Sequence, residues 1–252
     1  MTSGSITNDP VLVSELFNAV SEGDLEHITK LISLGVSPNA KNSNGDPVIE
    51  SVFQKVYMDS KTRESIINYL ILQGADINVV DGLGMTYLHQ SVGYNFITTT
   101  KLLLDKGVDP NIKSKLRGEI ALFSAKSVEM AELLLARKAG NINSRSNDGD
   151  TLLHKACDSV PSFELVVFYS QSIPIDATNW DGDTPLIIAL EHNYFLEERE
   201  KIIYYLIDHG AGINVVGRQG RTPLMVAIQN EELDKTVIET LIEKGAHANT
   251  KS

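Results

Sequence analysis

The chain has 252 residues, of which 42% are hydrophobic and 22% charged, enough apolar material for one continuous core. Its formal net charge of −11 argues against nucleic acids and anionic membranes as partners, because both are bound through Lys and Arg. Residues 1–10 are polar, no apolar run reaches membrane length and Cys157 is the single cysteine, so we expect a cytosolic or nuclear protein without a disulfide framework.

Predicted helices come in pairs along the chain. The first pair lies in residues 11–41 and begins directly with apolar positions at helical spacing, Leu12, Leu16 and Val20. Each later pair follows a glycine, at Gly45, Gly84, Gly118, Gly149, Gly182 and Gly220. The spacing runs from 31 residues between Gly118 and Gly149 to 39 between Gly45 and Gly84, which is typical of stacked helical repeats.

A Thr-led word begins most of these pairs two residues after the glycine. The words are Thr86-Tyr87-Leu88-His89, Thr151-Leu152-Leu153-His154, Thr184-Pro185-Leu186 and Thr222-Pro223-Leu224. Thr is a good helix N-cap and Pro suits the first helical turn, so each word predicts the start of a short helix. Repeats two and four depart from the pattern, with Asp46-Pro47-Val48-Ile49 and Glu119-Ile120-Ala121-Leu122.

The second helix of each pair is richer in large aliphatic residues, such as Ile202, Ile203, Leu206 and Ile207. One apolar stripe per helix cannot be covered within a single pair, so the repeats must stack. A second word ending in Asn recurs in phase with the glycines, as in residues 75–78 and 211–214. We predict repeats at about 11–41, 42–80, 81–113, 114–145, 146–178, 179–216 and 217–252, after an N-terminal tail of residues 1–10.

Together these words resemble the ankyrin repeat family from about Val11 to Ser252. The resemblance implies an all-α solenoid of about seven helix-turn-helix units, with β-hairpin fingers that contain the glycines. It implies that the recurring asparagines tie successive turns together, and that His89 and His154 form hydrogen bonds between adjacent repeats. Extra residues at 57–64 and 194–201 are expected as loops between paired helices. The last helix carries charged residues, from Glu231 to Lys244, and predicts the polar outer face of a terminal repeat.

Two interpretations remain for the residues that could take part in catalysis. His154 and Cys157 are three residues apart, which is compatible with a base and a nucleophile. Cys157 also falls where the repeat has Ala189 and Ala227, which favours an inert buried thiol. We find no cysteine or histidine cluster with zinc spacing and no phosphate-binding glycine loop, so no catalytic residue, metal or cofactor is predicted.

The family usually grips a protein on the concave surface made by its fingers and first helices. Mapping that surface onto this sequence predicts a partner-binding set of Leu83, Met85, Tyr94, Arg117, Trp180, Asp181, Asp183, His192, Arg218, Gln219 and Arg221. Trp180, the only tryptophan, is the expected anchor, because Trp buries much area for little lost rotamer entropy. The alternative is that Trp180 lies flat against a neighbouring finger.

Two functions follow from the resemblance. The first is a monomeric, non-enzymatic scaffold or adaptor that binds an intracellular protein. The second is the recognition arm of a larger enzyme or effector whose catalytic domain lies outside this chain. Degenerate repeats with irregular insertions resemble the ankyrin proteins of viruses and intracellular bacteria, and for such a protein the expected location is the host cell cytosol.

Overall fold

A computed structural model describes residues 9–55, 57–158, 160–192 and 195–247 of the protein. Within those residues the chain forms thirteen α-helices and two short 3-10 segments, and its only β-structure is two isolated antiparallel bridges. The predicted all-α fold class is therefore confirmed. The chain divides into two compact subdomains, Met1–Asp109 and Pro110–Ser252, which are described separately.

The N-terminal subdomain contains three helix pairs. They are α1 (Pro10–Glu22) and α2 (Leu25–Ser33), α3 (Val48–Phe53) and α4 (Ser60–Leu72), and α5 (Tyr87–Gly93) and α6 (Ile97–Asp105). First helices pack on first helices and second helices on second helices, as in the contacts of α1 with α3 and of α4 with α6. The fingers of repeats two and three are each closed by one bridge, Lys41 with Pro47 and Val80 with Thr86.

The C-terminal subdomain contains repeats four to seven. Its helices are α7 (Val128–Ala136), α8 (Leu152–Cys157), α9 (Phe163–Ser170), α10 (Pro185–Glu191), α11 (Leu196–Asp208), α12 (Pro223–Gln229) and α13 (Lys235–Glu243). Packing again follows the repeat, α8 on α10 on α12 and α9 on α11 on α13. Its fingers are turns closed by backbone hydrogen bonds, for example from Asn179 N–H to the Asp183 carbonyl at 3.0 Å and from Gly182 N–H to the Asn179 carbonyl at 3.1 Å.

The Thr-led words act as predicted. Thr86, Thr151, Thr184 and Thr222 each cap a first helix, with the hydroxyl accepting a backbone N–H from three residues ahead. Repeat four has Ile120 at the capping position and thus no hydroxyl, and its first helix shrinks to a 3-10 turn at Ala121–Ser124. Loss of the cap and the short interval before α7 explain this difference.

Two of the recurring asparagines bind the following repeat. The Asn39 side chain donates to the Gly74 carbonyl at 3.0 Å and accepts the Asp76 N–H at 2.7 Å. Asn214 makes the same pair of bonds, to the Gly245 carbonyl and from the His247 N–H, at 3.0 and 2.8 Å. The predicted role of the asparagines is confirmed at both positions.

The extra residues at 57–64 and 194–201 were expected as loops, and this was wrong for most of them: helix α4 begins at Ser60 and helix α11 at Leu196. Both α4 and α11 have thirteen residues, and each carries a buried arginine at its fourth position, Arg63 and Arg199. The Arg199 guanidinium donates to the carbonyl oxygens of Cys157, Asp158 and Ala189 at 3.0, 3.2 and 3.2 Å. It therefore ties α11 to the carboxyl ends of α8 and α10, which line the candidate site.

Candidate protein-binding groove

The fingers of the C-terminal subdomain are joined edge to edge. Asn147 N–H donates to the Arg117 carbonyl at 2.7 Å, and Trp180 N–H donates to the Asp148 carbonyl at 2.9 Å. Arg218 N–H continues the series to the Asp183 carboxylate at 2.8 Å. Each finger is thus held by its neighbour, which gives the side chains on the fingers fixed relative positions.

Trp180 lies on this row of fingers with its ring over the preceding one. Gly149 has φ +81°, and a Cβ built on it would lie 2.5 Å from Trp180 Cδ2, so only glycine fits beneath the ring. The Arg145 guanidinium carbon lies 5.3 Å from the ring centroid. Trp180 nevertheless stays 69% exposed. Trp180 thus packs on a neighbouring finger, as the alternative interpretation expected, and also presents a large apolar surface to solvent; its role as a binding anchor stays a prediction.

Beside the fingers lies a cavity of about 320 Å³, which we call the groove. It is walled by the fingers of repeats four to seven and by the first helices α8 and α10. Ten of the twelve residues that line the groove have ionisable side chains: six carboxylic acids, three cations and His154. The acids are Asp148, Asp150, Asp158, Asp181, Asp183 and Glu191, and the cations are Arg117, Lys155 and Arg218. Carboxylates outnumber cations two to one, so the groove favours positively charged groups.

The Asp158 carboxylate holds together the side chains of one wall of the groove. His192 Nε2 lies 3.0 Å from Asp158 Oδ1, and Arg117 Nη1 lies 3.5 Å from Oδ2. Lys155 Nζ is 3.9 Å from the same carboxylate and 3.3 Å from Glu119. The carboxylate thereby connects the finger of repeat four to the ends of α8 and α10.

The Glu191 carboxylate holds together the side chains of the opposite wall. Its carboxylate accepts from Arg218 at 3.0 Å and makes a second, shorter ion pair with Arg221. Arg218 also approaches Asp181 and Asp183, each at 4.0 Å. Gln219 lies between the two arginines, exposed and at φ +59°, within the 3-10 turn Arg218–Gly220. The structure thus brings the predicted residues Arg218 and Arg221 together at the Glu191 carboxylate.

His154 and Asp183 form the buried floor of the groove. Thr151 N–H donates to His154 Nδ1 at 3.2 Å, which leaves Nε2 to donate to the Asp183 carbonyl at 3.0 Å. The predicted hydrogen bond between repeats is confirmed for His154, and His89 makes the same local bonds to Thr86. Burial lowers the pKa of His154 and raises the pKa of the Asp183 carboxyl.

Cys157 does not have the surroundings of a nucleophile. The thiol is fully buried in the core, and that burial raises its pKa far above the ordinary value for cysteine. His154 uses both ring nitrogens in bonds to Thr151 and Asp183. The predicted burial of the Cys157 thiol in the core is confirmed. The predicted alignment was wrong: counted from the capping threonines, Ala156 corresponds to Ala189 and Ala227, and Cys157 corresponds to Leu190.

Three predicted residues lie in the N-terminal subdomain. Leu83 is an exposed finger residue and Met85 is half-buried. Tyr94 was expected on a first helix, but α5 ends at Gly93 and the Tyr94 ring stacks on Phe96, with a centroid distance of 5.4 Å. The Arg63 guanidinium carbon lies 4.1 Å from the Tyr94 centroid, so much of the ring is already used inside the fold.

Sequence reasoning missed Lys155, Asp158 and Arg145 in the groove region. Asp158 follows Cys157 at the same position where Glu191 follows Leu190 in the next repeat. Aligning the first helices of these two repeats one residue further would therefore have identified Asp158. Arg145 donates to the carbonyls of Gly149 and Thr178 beneath Trp180, and no repeated word marks its position.

Within the described residues, no group of three His, Cys, Asp or Glu side chains is arranged to hold a metal ion. Over the same part of the chain, no helix has both the length and the apolar character needed to cross a membrane.

Comparison with known proteins identifies the repeats. The family model for ankyrin repeats matches residues 16–114, 56–146 and 153–252. An ankyrin repeat protein of Acanthamoeba polyphaga mimivirus is 25% identical over 252 residues, covering 94% of this chain and 31% of that protein. A palmitoyltransferase of Lachancea kluyveri is 25% identical over 209 residues, covering 81% of this chain and 27% of that protein. The chain spans less than a third of each relative.

Solved structures show the same fold. The ankyrin repeat domain of human ASB11 superposes with a TM-score of 0.71 at 21% identity, over 93% of this chain and 99% of that domain. At this identity the likeness concerns the fold alone.

Proposed function

Because the chain belongs to the ankyrin repeat family, we propose that it is a non-enzymatic scaffold or adaptor that binds a protein through the groove and its fingers. Ankyrin repeats generally mediate protein–protein interaction. The proposed surface and kind of partner are specific to this chain, and the contacts described above support them.

Trp180 is the observation that carries the proposal. An exposed tryptophan is an efficient interface anchor when its ring is already held in place, because little further entropy is lost on binding. Gly149 and the Asp148 carbonyl hold Trp180 on two sides while most of the ring stays exposed. Arg218 and Arg221 are each held by an ion pair with Glu191, and they supply further anchors of a type common in interfaces.

The charge of the groove indicates the chemistry of the partner. Six carboxylates against three permanent cations favour a partner segment that carries Lys or Arg. Such a segment would also be steered towards a chain with a net charge of −11. Association should then weaken as salt concentration rises.

A second function has one specific observation in its favour. The similarity to part of a palmitoyltransferase is compatible with a chain that serves as the recognition arm of a larger enzyme. In that case the groove would bind the substrate protein, and the chemistry would be supplied elsewhere. Both proposals assign the same role to Trp180.

The experiment compares proteins captured from cell lysate by the immobilised wild-type chain and by two variants. Trp180→Ala removes the anchor, and Tyr57→Ala removes a fully exposed tyrosine in the N-terminal subdomain as the matched control. We expect a partner that is retained by Tyr57→Ala and lost by Trp180→Ala. For the purified partner, Trp180→Ala should weaken binding by about 2 kcal/mol, roughly thirtyfold, and barely change the melting temperature. Equal affinity with a sharply lower melting temperature would assign Trp180 to the fold alone.

A further inference from the structure

The finger of repeat seven, residues 217–222, has no side chain at the position that closes the turn in four other fingers. In repeats two, three, five and six, the residue three before the finger glycine accepts the backbone N–H groups two and four residues ahead, at 2.8 to 3.2 Å. These acceptors are Asn42, Asp81, Ser146 and Asn179. In repeat seven the corresponding residue is Gly217, so this finger closes without the side-chain bonds.

A carboxylate of repeat six supplies an acceptor instead. Asp183 Oδ1 accepts the Arg218 N–H at 2.8 Å, and Asp183 Oδ2 lies 4.0 Å from Arg218 Nε. A Cβ built on Gly217 would lie 2.3 Å from Asp183 Oδ1 and 2.7 Å from Ile187 Cδ1. Glycine at position 217 therefore both removes the internal acceptor and leaves the room through which Asp183 reaches the finger.

Asp183 is too deeply buried to form much of the binding surface itself. The residue is 2% exposed, whereas the side chains of Arg218 and Arg221 keep 45% and 21% of their surface exposed. The ion pairs of these arginines with Glu191 lie near the surface, where such pairs contribute little to stability. A backbone N–H bound to a buried carboxylate forms a stronger, charge-assisted hydrogen bond. The Asp183 bond is thus the main link between the finger and repeat six.

We propose that Asp183 is a positioning residue for the binding surface, and that its carboxylate holds the finger of repeat seven so that Arg218, Gln219 and Arg221 face the partner. The use of these three side chains in binding rests on the proposed function, whereas the control of the finger by Asp183 rests on the contacts alone. Loss of the carboxylate should free this finger while the fingers of repeats five and six, which contain their own acceptors, stay closed.

Limited trypsin digestion of the full chain tests the control of the finger, because Arg218 and Arg221 are both cleavage sites. Asp183→Ala should speed cleavage at these sites about tenfold, since cleavage of a locally opened segment follows the population of the open form. Cleavage after Arg145 in the same subdomain should keep its wild-type rate. Asp150→Ala, the same position one repeat earlier, is the control and should leave cleavage in the finger of repeat seven unchanged.

Two results of the digestion would overturn the proposal. An unchanged rate after Arg218 and Arg221 in Asp183→Ala would show that the carboxylate does not hold the finger. Equal acceleration after Arg145 would show that Asp183 supports the whole subdomain and has no particular role in the finger.

A rescue variant tests the reason for the dependence. Asp183→Ala with Ile187→Val removes both atoms that a Cβ at position 217 would meet. Adding Gly217→Asn to this pair supplies the turn acceptor found in repeats two and six. Cleavage should be fast in the double variant and return close to the wild-type rate in the triple variant. Fast cleavage that persists in the triple variant would contradict the proposal.

Binding of a purified partner separates this proposal from the proposed function. Asp183→Ala should lower the affinity about tenfold, because the partner must then order the finger, and the triple variant should restore it. Unchanged affinity of Asp183→Ala for a partner that Trp180→Ala loses would overturn the positioning role and leave the proposed function intact. A partner that Trp180→Ala retains would overturn the proposed function, and with it the binding role of the finger, while the digestion result would stand.

Discussion

At the scale of single residues, the groove depends on side chains that hold one another. Trp180 can lie over its neighbouring finger because position 149 is glycine, and Arg145 beneath it has its guanidinium bound to two carbonyls. His154 fastens repeat five to repeat six through the Asp183 carbonyl at 3.0 Å. The His154 bond could be predicted from a repeated word. The setting of Trp180 could not, because it depends on residues of two repeats that no single repeated word links.

His154 should give the protein a characteristic pH dependence. Its pKa is lowered in the folded state by burial, whereas the unfolded chain takes up the proton near the ordinary value of about 6.5. Below that pH the unfolded state binds more protons, so stability falls as pH drops from about 6.5, with a limiting slope of about 1.4 kcal/mol per pH unit. Above about pH 7 this group contributes no slope.

Urea unfolding between pH 7.5 and 5.5 measures the effect. His154→Gln removes the titrating group, so its stability should be lower throughout but should depend less on pH over this interval. His209→Gln, which alters an exposed histidine on the surface, is the control and should retain the wild-type slope. An unchanged slope in His154→Gln would show that this imidazole takes up its proton equally well in the folded chain.

At the scale of elements, the inserted residues form part of a helix and include Arg199, which links that helix to two neighbouring helices. From the sequence, residues 194–201 were expected as a loop, but α11 begins at Leu196 and carries Arg199 into the core. A charged residue is rarely fully buried, so nothing in the local pattern predicted this. The burial is possible because α8 and α10 end nearby with carbonyl groups that need donors. The capped first helices, by contrast, followed directly from their Thr-led words.

Replacing Arg199 should destabilise the C-terminal subdomain. Arg199→Met keeps the aliphatic volume but leaves three carbonyls without this donor, two of them in buried hydrogen bonds, at a cost on the order of 3 kcal/mol. The stability of Arg199→Lys should lie between that of Arg199→Met and that of the wild type, because an ammonium group can make only some of the hydrogen bonds of the guanidinium. Chemical denaturation measures both variants.

Lys201→Met is the matched control on the same helix. Lys201 is exposed and forms ion pairs with Glu197 and Glu198 on its own helix, so the change should stay within about 0.5 kcal/mol. Equal effects of Arg199→Met and Lys201→Met would mean that the buried guanidinium contributes no net stability.

At the scale of the whole molecule, the repeated motifs allowed the architecture to be predicted from the sequence, but they did not determine the binding surface. Recurrent glycines, Thr-led words and asparagines predicted the number and phase of the repeats, because each word has one structural role. The groove is formed by positions that the repeat leaves free, and these are different in every repeat. Arg117, Trp180 and Arg218 could be assigned to fingers from the sequence, but their shared contacts with Asp158, Gly149 and Glu191 required the fold.

Hydrogen exchange with and without a captured partner tests the protein-binding surface most directly. The partner should slow exchange in the fingers at residues 145–150, 178–184 and 217–222 and at the carboxyl ends of α8 and α10. The outward sides of α9 and α11 should exchange at their unbound rate. Protection confined to α9 and α11, with the fingers unchanged, would contradict the proposal that the groove and Trp180 form the binding site.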